Sequence, residues 1–313
     1  MSHQHVPIPR AMKPFAQLSR FLFRIGQGDW VFKLLGALVS MGERRGGVNF
    51  FKDYIPTKND IIIACNSRSG THWIMQIALQ TAHLGQADYD YIYDIVAWPD
   101  FLPGVAIKLT ETPPPSPTGW RVIKTHAPAQ SVPVNDAAKY ITVIRDPKEV
   151  LASTYHWAPQ AFAFLGLQSG TPEYWVEKFI NKQIPGGWWA AHTASWWALG
   201  DKPNVHIVTF NQLKADTSGE IDRISEFLGI ELSAEQRQQV IEKSSFDYMK
   251  AINHKFSPII GGTDMLDIVR KGKTGGGNEL FTKEQLAKVD AFCKSELRRL
   301  GSDFPYDQLF SVS

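Results

Sequence analysis

The residues best suited to chemistry stand in four short segments, each where an apolar run gives way to polar side chains. WRVIKTHAP, residues 120–128, delivers Lys124 and His126 at the end of a strand-like run. An imidazole there can accept a hydroxyl proton near neutral pH, because its unperturbed pKa is about 6.5. IIIACNSRSGTHWI, residues 61–74, passes from a β-branched run through a polar loop to an amphipathic pattern, and reads as strand, anion cradle, helix. Ser69 and Gly70 open that helix, whose first backbone N–H groups lack intrahelical partners and suit a phosphate or sulfate. Arg68 adds a fixed cation, and the Walker pattern GxxxxGK[ST] is absent.

A second segment, KYITVIRDPKEVLASTYHW, residues 139–157, repeats the plan with different charge placement. Its strand ends in Arg145, Asp146 can cap the following helix, and Pro147 suits the first helical position. Ser153 lies about two turns further on, so it and Arg145 reach one phosphate only if the ligand lies along the helix. In IVRKGKTGGGNELFT, residues 268–282, Arg270 and Lys271 precede a glycine-rich loop able to wrap an anion. Each feature alone has an ordinary reading. The first turn is common architecture, Arg145 a surface ion-pair partner, Lys124 a half-buried lysine with a carboxylate, and His126 a structural histidine.

These residues need a frame to hold them. Strand patterns near 61–65, 120–124, 139–144 and 204–209 alternate with helical patterns near 71–84, 147–157, 173–182, 187–199, 217–228, 234–243 and 284–300. Such alternation predicts an α/β fold of three layers, with a central parallel sheet and helices on both faces. A chain of 313 residues, 43% hydrophobic, can bury one large core, and no linker argues for two. Residues 1–54 read as a helical extension packed on the core and 55–313 as the main domain of a single globular unit. Residues 1–9 read as a disordered lead, and 111–119 as a Pro-rich loop. Phe15 to Met41 is unusually apolar, with Arg20, Arg24 and Lys33 interspersed. It reads either as helices packed on the core or over a pocket mouth, or as an interfacial amphipathic segment making weak contact with a membrane surface.

A net charge of +2 allows a local anion pocket and, with no basic tract, excludes a nucleic-acid surface. Cys65 and Cys293 offer neither a disulfide framework nor metal spacing, which makes a reducing cytoplasm the expected compartment. Nothing in residues 1–313 resembles a cleavable signal or a run of about 20 apolar residues, so neither a secretory signal nor a membrane span is expected.

Together the segments resemble the cytosolic sulfotransferases that use 3′-phosphoadenosine 5′-phosphosulfate (PAPS), over roughly residues 55–305 and in the family's order. The family's PKSGTTW loop is NSRSGTHW here, its arginine followed eight positions later by serine is Arg145 and Ser153, and its KTH is Lys124, Thr125 and His126. Its RKGxxG…FT is Arg270, Lys271, Gly272, Gly275, Phe281 and Thr282, and its W-x-x-H-x-x-x-W-W is Trp189, His192, Trp196 and Trp197.

The resemblance implies a P-loop-NTPase-like sulfotransferase fold and sulfuryl transfer from PAPS to a hydroxyl of a small acceptor, with amines open and no metal. It implies that His126 is the base, that Lys124 stabilises the moving sulfuryl oxygens, and that Arg68 stabilises the leaving phosphate. Arg68 stands where the family has lysine and, being permanently charged, cannot donate a proton. Ser69, Gly70 and Thr71 are then expected on the 5′-phosphate, with the role of His72, in place of a threonine, open. Arg145, Ser153, Arg270, Lys271 and Gly272 are expected on the 3′-phosphate. Trp73 and Phe246 match an adenine sandwich, and Phe210 replaces a common tyrosine. Tyr91, Trp98, Phe101, Trp157, Phe162, Phe164 and Trp175 fall in segments bordering the acceptor cleft, which points to an apolar or aromatic acceptor. The family's K-x-x-x-T-V-x-x-x-E dimer signature is lost at Asn278, Lys283 and Ala287. A kinase reading lacks the Walker lysine, and a non-catalytic nucleotide or membrane-surface module leaves Lys124 and His126 without a use.

Overall fold

The computed structural model describes residues 4–44, 49–270, 272 and 275–310. Within them lie six strands: β1 (His5–Val6), β2 (Asp60–Ala64), β3 (Arg121–Thr125), β4 (Lys139–Ile144), β5 (Val205–Thr209) and β6 (Ile259–Ile260). β2 to β5 form one sheet in the order β3-β2-β4-β5, and all its pairings are parallel. The unbroken apolar run of β2 follows from this position, since a central parallel strand is covered on both faces. Ile61 and Ile63 point into one core with Ile74 and Ile77, while Ile62 and Ala64 point into another with Tyr140 and Trp196.

The helices are α1 (Lys13–Arg24), α2 (Asp29–Arg44), α3 (Thr71–Ala82), α4 (Pro147–Ala161), α5 (Pro172–Ile180) and α6 (Trp189–Trp197). They continue with α7 (Phe210–Ala215), α8 (Thr217–Leu228), α9 (Ala234–Lys243), α10 (Phe246–Ala251), α11 (Gly276–Leu280), α12 (Lys283–Arg299) and α13 (Tyr306–Phe310). Helices α3, α8 and α9 cover one face of the sheet, and α4, α5, α6 and α12 pack together on the other. This is the three-layer α/β arrangement expected from the alternating pattern. The two strand-to-helix segments form as read: Asp146 accepts from Lys148 N at the start of α4, with Pro147 in its first turn.

The N-terminal lead departs from expectation. Residues 4–9 do not trail free: β1 pairs in parallel with β6, Ile259 N donates to Gln4 O at 2.8 Å, and Gly261 N donates to Val6 O at 2.8 Å. Burial of Val6 adds an apolar anchor that so short a polar-flanked pair did not advertise. Residues 15–41 form the α1–α2 pair, with Phe23 meeting Phe32 edge-on at 5.8 Å and Phe32 meeting Trp175 at 6.4 Å.

Candidate active site

The carboxyl ends of β2, β3 and β4 open into one cavity of about 700 Å³. At the end of β2 the chain turns through Arg68 (φ +67°) and Gly70 (φ +97°), both left-handed. Glycine is required at 70 on two counts, because a Cβ there would also come within 2.9 Å of the Phe210 ring. Gly70 caps α3 without offering a side chain, so the first N–H groups of α3 gain no side-chain cap from it. Ser69 Oγ and Asn66 Oδ1 are buried and have no hydrogen-bond partner among the described residues. A buried oxygen of this kind is costly unless something supplies its bond.

The second strand-to-helix segment meets the first through Arg68. Its Nε donates to Ser153 Oγ at 3.0 Å, its carbonyl accepts from Arg145 Nη1 at 3.1 Å, and its guanidinium lies over the Trp157 ring at 5.0 Å. Burial, with Arg145 and Arg270 nearby, pushes Arg68 down to about 9, which leaves it a cation at neutral pH. Arg145 lies 4.4 Å over the Phe210 ring and pairs with Glu149 at 3.4 Å, while its Nε is buried without a partner among the described residues. Arg145 is therefore a mostly buried cation whose ion pair with Glu149 lies at the cavity wall. Glu149 Oε1 also accepts from Gly277 N at 2.8 Å, tying the glycine-rich loop to α4.

The strand β3 brings the third part. His126 Nδ1 lies 2.7 Å from the Cys65 carbonyl. A carbonyl only accepts, so Nδ1 carries the proton and the neutral ring keeps a bare Nε2. Burial, then the charge of Lys124, holds the imidazolium pKa well below the usual 6.5. Asp100 accepts from His126 N at 2.7 Å and fixes the backbone beneath the ring, and Trp98 meets the ring edge-on at 5.5 Å.

Lys124 is fully buried, and burial drives its ammonium well below the ordinary lysine range. Its partner is not a carboxylate: Nζ donates to Tyr93 OH at 2.6 Å and sits 3.2 Å from the centroid of the Trp98 ring. Tyr93 OH is also hydrogen-bonded to His72 Nε2 at 2.8 Å, and His72 is held neutral by burial and the neighbouring Lys124 and Arg68 charges. His72 therefore belongs to the Lys124 network through its ring. Tyr93→Phe removes the oxygen that orients Lys124; with a charged hydrogen bond worth about 1.5–3 kcal/mol, turnover should drop about tenfold or more at an unchanged donor KM. Steady-state kinetics on the purified variant checks this.

Of the described catalytic and nucleotide candidates, all but Ser69 line this cavity: Arg68, Gly70, Thr71, His72, Trp73, Lys124, His126, Arg145, Ser153, Phe210, Phe246, Arg270 and Gly272. Lys271 lies outside the described residues. Gly272 (φ +59°) is pressed against Phe246, whose ring would stand 2.3 Å from a Cβ there. The indole N–H of Trp73 donates to Ser244 O at 2.9 Å, and its ring meets Phe210 edge-on at 5.7 Å. No group of three or more His, Cys, Asp or Glu side chains among the described residues is placed to hold a metal ion.

The sulfotransferase domain family matches residues 58–301, most of the chain. The chain belongs to the sulfotransferase family. Sulfotransferase 1A1 of Mus musculus is 30% identical over 251 residues, covering 74% of this chain and 82% of its own. Sulfotransferase 2A1 of Homo sapiens is 26% identical over 279 residues, covering 87% of this chain and 96% of its own. Among solved structures, retinol dehydratase in complex with androsterone and the inactive cofactor PAP has the same fold, with a TM-score of 0.63 at 22% identity over 84% of this chain and 90% of that one.

Of the aromatic residues that the sequence places near an acceptor cleft, Trp98, Phe101, Trp157 and Phe162 line the cavity of this sulfotransferase. Tyr91, Phe164 and Trp175 do not: each is buried in the core, where an aromatic side chain removes the most apolar surface from water. The cavity also takes in Leu38, Tyr93, Asp100, Glu149, Trp188 and His192. None of these but His192 sat in a motif, and their spacing carries no mark of the site.

Proposed function

We propose that this sulfotransferase moves the sulfuryl group of PAPS onto a hydroxyl of a small apolar or aromatic acceptor, with His126 as the base. The observation that carries the reading is the bare His126 Nε2, fixed by the Cys65 carbonyl on a ring that lines the cavity beside Lys124. PAPS supplies, when bound, a sulfuryl group on a phosphosulfate anhydride. Nε2 takes the acceptor's hydroxyl proton, and Lys124 offsets charge on the sulfuryl oxygens. The aromatic walls exclude water and hold the apolar body of the acceptor.

The residues present fit a nucleotide with two anionic ends. Ser69 Oγ and the N–H groups at the start of α3, with Gly70, Thr71 and the backbone of His72, would hold the 5′-phosphate. Arg145 Nε, Ser153, Arg270 and Gly272, with Lys271, would hold the 3′-phosphate, and Trp73, Phe210 and Phe246 the adenine. Arg68, bonded to Ser153 while its backbone forms the β2 loop, joins the two ends. Among the described residues Arg68, Lys124, Arg145 and Arg270 border the cavity, so basic groups stand ready for charge on the leaving group without a metal.

Thermal shift tests the donor directly. Adenosine 3′,5′-bisphosphate should stabilise the protein by mass action, about 2.7 kcal/mol at a hundred times its dissociation constant, and ATP with Mg²⁺ should not do so comparably. The reverse ranking would replace sulfuryl transfer with phosphoryl transfer.

A further inference from the structure

We propose that the α1–α2 hairpin docks on an anionic bilayer surface, with the cavity mouth turned toward acceptors dissolved in the lipid. Only the last clause rests on the function proposed above. Eleven large apolar side chains stand exposed among the described residues, and seven of them are on this hairpin: Leu18, Phe21, Ile25, Trp30, Leu34, Leu38 and Met41. Their spacings of three and four put one apolar stripe along each helix. The opposite stripes are already used. Ala16 and Ser19 are buried on the turn Ala163–Leu165, where Ser19 Oγ donates to Leu165 O at 2.7 Å, and Phe32 packs against Trp175 and Tyr174. The exposed stripes therefore face away from the protein.

Charge selects the occupant. Residues 10–44 carry Arg10, Lys13, Arg24, Lys33 and Arg44, and Arg20, whose Nε donates to Phe164 O at 2.9 Å on the protein side, against two acids, Glu43 and, at the start of α2, Asp29. Asp29 is taken by Lys178 at 3.0 Å and Tyr174 at 2.9 Å. Apolar side chains interleaved with an excess of cations fit a surface of acidic headgroups over hydrocarbon. A second copy seated on the same face would set these cations against one another. Neither helix is long and apolar enough to cross a membrane, so the hairpin lies in the interface. Leu38 belongs both to the exposed stripe and to the cavity lining, which makes the apolar surface continuous with the site.

Vesicle flotation of the full chain tests this with phosphatidylcholine alone, and with phosphatidylcholine mixed with phosphatidylglycerol at low and high salt. The protein should float with the mixed vesicles, less so at high salt, and stay down with phosphatidylcholine alone. The triple variant Phe21→Ser, Trp30→Ser, Leu34→Ser alters exposed positions and should keep its circular dichroism and cooperative unfolding while its bound fraction falls about tenfold. Arg24→Glu with Lys33→Glu should remove the preference for the anionic lipid. No flotation of the wild type, or equal flotation of the triple variant, overturns the proposal. A wild-type dimer in solution that the triple variant turns monomeric overturns it in favour of a second copy. Flotation as expected from a protein that adenosine 3′,5′-bisphosphate fails to stabilise upholds the docking and removes the donor reading alone.

Discussion

Replacing His126 with alanine should lower turnover by roughly 10²-fold or more while leaving affinity for adenosine 3′,5′-bisphosphate within a few fold, the usual scale for loss of a general base. The split follows from position. His126 is anchored by the Cys65 carbonyl and Asp100, whereas the side chains proposed to hold the phosphates come from the loop after β2, from the end of β4 and from α4. The pH profile adds a second reading of the same residue. A base must be neutral, and burial beside Lys124 keeps the imidazolium pKa well below 6.5. The acid limb of kcat/KM, which reports the free enzyme, should therefore fall well below pH 6.5, with activity held through that value. A midpoint at 6.5 or above, or full turnover by His126→Ala, would give the proton to another group.

Arg145→Ala should weaken adenosine 3′,5′-bisphosphate far more than adenosine 5′-phosphate, by about 10- to 150-fold for a lost charge-assisted contact of 1.5–3 kcal/mol. Ser153→Ala should discriminate in the same direction. Arg68→Ala should weaken both ligands, since its side chain reaches Ser153 and its backbone forms the loop after β2. Calorimetric titration of both nucleotides against the three variants gives the comparison. Equal losses for both nucleotides in Arg145→Ala would move the β4–α4 segment off the 3′-phosphate.

What the sequence made legible is what local chemistry controls. A run of three isoleucines in a strand buried on both faces, an Asp-Pro helix start and a Ser-Gly turn each fix their own conformation, so β2, β4, α3 and α4 could be read with their boundaries nearly in place. Contacts that join distant residues were not legible. Arg68 meets Ser153 across 85 positions and Lys124 meets Tyr93 across 31, and nothing in the spacing of either pair announces the bond. The same holds for β1, whose two residues gain order only from β6 far along the chain. Tyr91, Phe164 and Trp175 had two readings in the sequence, pocket wall or core, because aromatic type marks both alike, and the structure buries them in the core. The place of His72 in the loop left its role open, and its ring turns to Tyr93.

Incubation with PAPS carrying radiolabelled sulfur, against pooled phenols, alcohols and amines with product mass determination, tests the central claim most directly. The account predicts that label moves into a hydroxyl-bearing acceptor, with one adenosine 3′,5′-bisphosphate released per sulfated product and His126→Ala failing to transfer. Label left entirely in PAPS, or released only as inorganic sulfate whatever acceptor is supplied, would contradict it.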